Sequence, residues 1–491
     1  MKETSGPGAF RRTVQRGLRA LPNALLLAVI VILAVPAAWL VAPAFVAPPP
    51  AATHVVPAWQ QPPVTLSARQ GLAPLTESAP VPLPSAVAAQ LDISLKPDGG
   101  GSFTGLVQDA LTGRILFDRG GSESRIPASN MKLLTAVAAL RALGPDHRFS
   151  TRLLAGPETN QVVLTGGGDV LLSAGESAPN QVLGHAGLAT LATTAVTALQ
   201  AAGTTGELKV LVDDSLFTGP ALNPAWAEGD VAAGEVAPLS PLALNSARFD
   251  PSVTSGPRPQ DSAVTAAEAF AVLLKTAGAA AGLTVAAGVE RYTAPKAPGQ
   301  EPTVLAEVQS ATVGQQIDLM LQTSDNYLAE VLGRMAASAA GEPASSEGAT
   351  AAVRAQLAAV GIPTDAMRLA DVSGLALANQ VSARQFAEVV RAITSGADVR
   401  LRAALDGFPV AGLTGTLDSR YGDGTTARGA GLVRAKTGTL NSVIALSGYV
   451  VDADGRLLVF SFIGNGLTPG AAGNKEALDR AATALAACGC R

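Results

Sequence analysis

The sequence predicts an α+β fold in which strands and helices form layers, not a doubly wound sheet. Three observations predict it. Strand-like and helix-like runs are interleaved without a regular βαβ rhythm. A hairpin pattern followed by an apolar helix stands near residue 104, and three more strand patterns with a closing helix stand at the far end. The 491 residues are enough for two or three domains with buried cores. With 48% hydrophobic and 15% charged residues, most of the chain is expected to be globular.

The N-terminus carries Arg11, Arg12, Arg16 and Arg19, followed by an uncharged stretch over 24–47. A bilayer span needs roughly 20 apolar residues, and basic residues before it keep that end inside. Residues 1–23 therefore read as a cytoplasmic basic segment. Residues 24–47 read as a transmembrane anchor or, since Ala42-Pro43-Ala44 resembles a cleavage site, a signal segment. In either case the chain beyond residue 47 is extracytoplasmic, anchored by one helix or secreted. Residues 48–88, with Pro48-Pro49-Pro50 and Pro62-Pro63, have the composition of a Pro-rich linker.

Residues 104–117 read as a hairpin turning at Leu111-Thr112-Gly113. Pro127-Ala128 opens a helix over 131–143 that Gly144-Pro145 stops. Between 150 and 300, strand patterns at 162–165, 210–212 and 283–286 mix with Ala-rich helices at 188–201 and 263–281. Helices are expected to dominate 305–394. Strands at 432–435, 443–451 and 457–463 then precede a helix over 475–487.

Composition excludes several functions. The net charge is −4 and no basic run occurs beyond the N-terminus, so nucleic acid is not an expected partner. Cys488 and Cys490 are too few for a metal site or a disulfide framework. No metal or organic cofactor is expected.

Three short motifs carry chemistry: Ser129-Asn130-Met131-Lys132, Ser324-Asp325-Asn326 and Lys436-Thr437-Gly438. Positions i and i+3 are neighbours on a helix, so Lys132 can reach Ser129. A serine hydroxyl needs a base to become a nucleophile, and a desolvated lysine can be that base. Ser129 also reads, taken alone, as a helix cap beside a surface lysine. Ser324 and Asn326 fit a loop between helices, where Ser324 can relay a proton and Asn326 can hold substrate amides; an ordinary capping turn has the same residues. Lys436-Thr437-Gly438-Thr439 comes directly after the predicted strand 432–435. An extended peptide can pair with such an edge, with Lys436, Thr437 and Thr439 holding its terminal carboxylate and the Thr439 N–H completing an oxyanion hole. Two of the eight lysines fall in these motifs, which turns three weak signals into one strong one. His54, His147 and His185 make no plausible Ser-His-Asp triad, and Gly166-Gly167-Gly168-Asp169 reads as a tight turn.

The trio S-x-x-K, S-D-N, K-T-G marks class A β-lactamases and penicillin-binding proteins. Ser129 and Ser324 are 195 positions apart (324 − 129), and with that long interval the chain resembles the class C low-molecular-mass penicillin-binding proteins, the penicillin-binding protein 4 group of D-alanyl-D-alanine carboxypeptidases and endopeptidases. Val212-Asp213-Asp214-Ser215-Leu216-Phe217, Ala237-Pro238-Leu239-Ser240 and Leu413-Thr414-Gly415-Thr416-Leu417 look like the same group. The resemblance implies a serine β-lactamase/DD-transpeptidase-like core, residues 89–150 and 303–491, split by an inserted α/β-mixed region at 151–302. It implies acylation of Ser129 by peptidoglycan stem peptides and by β-lactams, with Lys132 as base, Ser324 as proton shuttle, and Asn326, Lys436, Thr437 and Thr439 as substrate ligands. Asp213 loosely matches an acidic position near the substrate. Asp371-Val372-Ser373-Gly374-Leu375 carries valine where the group has glycine, which leaves the part of Asp371 open. A β-lactamase or esterase on the same fold, and a non-catalytic envelope scaffold, are the competing functions.

Overall fold

The computed structural model describes residues 75, 77–293 and 303–490. The expected basic segment, the anchor or signal stretch and most of the linker lie outside the described residues. The first helix, α1 (Pro84–Ser94), starts on a proline, whose missing N–H and fixed φ suit the first helical turn. Val87, Leu91 and Leu95 form an i, i+4, i+8 stripe and are buried. At roughly 1.5–3 kcal/mol for each such side chain, this helix is tied into the body. Leu83 N–H donates to the Cys490 carbonyl at 2.7 Å, and Arg456 donates to the Glu77 and Ala79 carbonyls at 2.9 and 3.2 Å. The linker assigned to 48–88 is corrected at its end, because proline density hid a helix that proline begins.

The next elements are β1 (Gly100–Asp109), β2 (Ile115–Arg119) and α2 (Met131–Leu143), which Gly144 ends at φ +89°. Then come β3 (Ser150–Ala155), β4 (Gln161–Gly166), α3 (Leu188–Ala201), β5 (Glu207–Asp213), α4 (Ser262–Gly278), β6 (Thr284–Val285), β7 (Glu290–Arg291) and β8 (Val304–Gln309). Helices α5 (Val313–Thr323), α6 (Asn326–Ala339), α7 (Ser346–Ala358) and α8 (Ala383–Ser395) precede β9 (Arg434–Leu440), β10 (Val443–Val451), β11 (Leu457–Thr468) and α9 (Lys475–Ala486).

The main sheet is antiparallel in the order β9-β10-β11-β1-β2, so the first strands pair with the last. Everything between residues 119 and 434 is a long excursion from that sheet. The buried α2 and α6 pack together beside it, in one core. A second sheet, β6-β5-β4-β3-β8 with β7 on β5, takes its strands from 150–309 and has its own core with α3 and α4. The segment Ser262–Ala281 is long and apolar enough to cross a membrane. Here Ala266, Phe270 and Leu274 of α4 bury that face against the second sheet.

Two strands depart from the expected pattern. Ala306 and Val308 are buried while Glu307 and Gln309 between and after them are not, and β8 forms where helix was expected to begin. The strand placed at 432–435 runs instead over Arg434–Leu440 and contains the Lys-Thr-Gly motif. Gly438 within it lets the strand pass close to the Pro127–Ser129 backbone.

Candidate active site

Ser129 sits in a single 3₁₀ turn, Ala128–Asn130, that leads into α2. Ala128 is left-handed at φ +48°, a conformation disfavoured for an L-residue by about 1–2 kcal/mol. Two glycines hold the turn there. A Cβ on Gly374 would lie 1.9 Å from the Ala128 oxygen, and one on Gly438 would lie 2.9 Å from the Pro127 oxygen and 3.2 Å from the Ser129 nitrogen. The serine backbone is thus clamped between β9 and the 371–376 loop. Asn130 roots the turn from below: its amide donates to Ser447 Oγ at 2.7 Å, and Ser447 donates to Ser461 Oγ at 2.7 Å.

Lys132 lies one turn along, fully buried. Its Nζ donates to Ser129 Oγ at 3.1 Å, Asn326 Oδ1 at 2.6 Å and the Ser373 carbonyl at 2.8 Å. Burial pushes its pKa down to about 8, against the pull of Asp371, Asp325, Glu330 and Glu235. At neutral pH about a tenth of such a lysine is unprotonated. Lys436 is buried too, and burial followed by the charge of Lys132 drives its pKa well below the ordinary lysine value. It donates to Ser324 Oγ at 3.0 Å and to the Thr437 carbonyl at 2.9 Å.

Ser324 ends α5 in a left-handed conformation, φ +59°, and Asp325 caps α6 by accepting the Leu328 N–H at 3.0 Å. The capping reading of this motif therefore describes Asp325. Asn326 is the first residue of α6 and also donates to the Glu235 carbonyl at 3.1 Å. In β9, Ala435 N–H donates to Pro409 O at 3.0 Å, on the edge away from β10. Strand alternation puts the N–H groups of Thr437 and Thr439 on that same edge. The Thr437 hydroxyl lies 2.7 Å from that of Thr416.

All three motifs therefore converge, linked by Lys132 and Lys436. The sequence matches the D-Ala-D-Ala carboxypeptidase 3 (S13) family over residues 87–272 and 257–486. The chain belongs to that family. It is a class C low-molecular-mass penicillin-binding protein and an enzyme of the serine-type D-Ala-D-Ala carboxypeptidase class. It is 36% identical over 428 residues to "Carboxypeptidase DacB" of Mycolicibacterium smegmatis, covering 86% of this chain and 89% of that one. It is 29% identical over 436 residues to the D-alanyl-D-alanine carboxypeptidase of Actinomadura sp., covering 74% and 77%. Its fold is that of penicillin-binding protein 4 from Haemophilus influenzae, with TM-score 0.63, 22% identity and coverage of 81% and 97%. A second structure of that protein, complexed with a novel β-lactam, aligns with TM-score 0.59, 22% identity and coverage of 80% and 97%.

In this penicillin-binding protein the loop with the unexpected valine is built into the site. The Asp371 carboxylate accepts the N–H groups of Gly374 and Ala376, the Trp226 indole N–H and the Asn379 amide, at 2.7–3.0 Å. It thereby shapes the turn that presents Gly374 to Ala128. Val372 is accommodated by Gly333 in the middle of α6, where a Cβ would meet Val372 Cγ2 at 2.6 Å. Glu330, one helical turn after Asn326, accepts the Val372 and Ser373 N–H groups at 3.0 and 2.8 Å. Burial and then Asp371 push its pKa up to about 7. Glu330 was missed in the sequence, although its i+4 spacing from Asn326 puts it on the same helix face. In the sequence Thr416 stands out only as part of the run Leu413-Thr414-Gly415-Thr416-Leu417. Asp213 caps a turn at the end of β5, accepting from the backbone and hydroxyl of Ser215 at 3.0 and 2.6 Å.

Proposed function

We propose that the enzyme removes the terminal D-alanine from peptidoglycan stem peptides through an acyl-enzyme on Ser129. The observation that carries this is the buried Lys132 amine 3.1 Å from Ser129 Oγ. In its neutral form Lys132 takes the hydroxyl proton as Oγ attacks the penultimate carbonyl. The oxyanion forms between the N–H groups of Ser129 and Thr439. Collapse breaks the amide bond, and Ser324, held by Lys436, relays the proton taken by Lys132 to the departing D-alanine amine, which leaves Lys132 neutral again. Water then attacks the ester, giving its proton to Lys132, which returns it to Ser129 Oγ as the shortened peptide leaves. Asn326 holds the substrate backbone, while Lys436 and the Thr437 and Thr439 hydroxyls bind the terminal carboxylate. A β-lactam enters the same route, its ring amide being opened by Ser129.

Residues 89–150 and 303–491 are assigned to the catalytic core and 151–302 to the insert, with strand β8 (Val304–Gln309) returning to the insert's sheet beside β3. Residues 24–47 keep the enzyme at the outer face of the membrane, where its substrate lies. Mass spectrometry of products from a defined pentapeptide muropeptide and its cross-linked dimer tests the reaction. Loss of one alanine from the monomer is expected, and splitting of the dimer adds endopeptidase activity. Unchanged substrates, with the protein folded, would refute the assignment.

A further inference from the structure

The insert touches the second motif through a backbone feature that the acyl-transfer steps alone do not explain. Asn245, Ser246 and Ala247 are three consecutive non-glycine residues in the left-handed region, at φ +53°, +56° and +54°. Single residues visit this region, and a run of three is disfavoured throughout. The run is held from both sides. Asn245 and Ser246 donate their N–H groups to the carbonyls of Leu172 and Val170 at 2.9 and 2.7 Å, and Arg258 Nη1 donates to the Ser246 carbonyl at 2.9 Å. The residue that emerges from it is Arg248. Its Nη1 lies 2.8 Å from Asp325 Oδ2, and the two side chains are only 16% and 3% exposed. Asp325 stands between Ser324 and Asn326.

A second tie comes from the neighbouring arginine. Arg258 also donates through Nε to the Gly234 carbonyl, and the next carbonyl, Glu235, accepts from Asn326. Asn326 in turn accepts from Lys132 at 2.6 Å. Burial raises the Asp325 carboxyl and Arg248 lowers it, the net result being a pKa below the usual carboxylate value. The pair of Arg248 and Asp325 is therefore charged.

We propose that the insert is part of the catalytic apparatus: the left-handed turn at 245–247 aims Arg248 at Asp325, and Arg248 is a positioning residue that fixes Ser324 and Asn326 against Lys132. This rests on the reading of Ser129 as the acylated residue. A buried ion pair adds little stability over a neutral pair of similar size, but breaking one partner leaves a charge stranded. The two roles of the pair can thus be separated.

The test uses the full chain and its Arg248→Met, Arg248→Lys, Asp325→Asn and Arg248→Met/Asp325→Asn variants. Thermal midpoint and the second-order rate of acylation by a β-lactam are measured on each. Asparagine still caps α6, so the double variant strands no charge. It is expected to recover most of the midpoint lost in Arg248→Met while its acylation stays slow by roughly 10²-fold, the cost of about 1 Å of misplacement. Arg248→Lys is expected to recover part of the rate. Should Arg248→Met fail to fold, the double variant carries the comparison. A folded Arg248→Met that acylates at the wild-type rate, or a double variant that recovers midpoint and rate together, would overturn the proposal. No adduct on the wild-type chain would instead refute the acyl-enzyme reading itself.

Discussion

Lys132→Arg is expected to lose acylation by roughly 10²–10⁴-fold, the usual worth of general-base catalysis. The guanidinium keeps its proton at any ordinary pH, so it cannot accept one from Ser129. It also does not fit the place of the amine, which is fully buried with acceptors at 2.6, 2.8 and 3.1 Å. Wild-type acylation should rise with pH through about 8, because Lys132 is lowered to about 8 and its active form is the unprotonated one. Below that value the ammonium holds its proton and the serine is not activated. The variant should show no such rise. Stopped-flow measurement of β-lactam acylation across pH reads both quantities, and near-normal acylation by the variant would remove Lys132 from the role of base.

Gly374→Ala is expected to be nearly as damaging, although it adds one methyl group. Its Cβ would sit 1.9 Å from the Ala128 oxygen and 3.0 Å from the Ser129 nitrogen, at a residue with φ +88°. The nucleophile turn has to move, and a shift of about 1 Å costs on the order of 10²-fold in rate. Gly341→Ala supplies the control. Gly341 has φ +81° and nothing within 4 Å of its added Cβ, so it carries the same backbone strain of about 1–2 kcal/mol without the collision. Both variants should lose thermal stability, and only Gly374→Ala should lose acylation. Equal acylation rates in the two would mean that the 371–376 loop does not set the serine.

What could be read from the sequence was whatever is local. The S-x-x-K spacing, the capping residues Ser324 and Asp325, and the Gly144 stop are decided within a turn of chain, and each lies where its neighbours imply. The strand pattern at 432–435 stops short of β9 because Lys436-Thr437-Gly438-Thr439 carries no apolar alternation, and what extends the strand is its pairing with β10, from Lys436 opposite Ser447 to Leu440 opposite Val443. The helix α1 was masked by the prolines before it. Glu330, Thr416 and Asp371 act through groups brought close only by the tertiary fold. Arg248 is the extreme case. It lies 77 residues from Asp325 in sequence, on a turn whose backbone no propensity would place there.

The most direct test of Ser129 as the acylated residue is the intact mass of the protein after incubation with a β-lactam, combined with peptide mapping. The predicted result is one added inhibitor mass, on the peptide containing Ser129, absent from Ser129→Ala and formed more slowly in Ser324→Ala. A stable adduct on any other residue, or an unmodified wild-type chain, would contradict it.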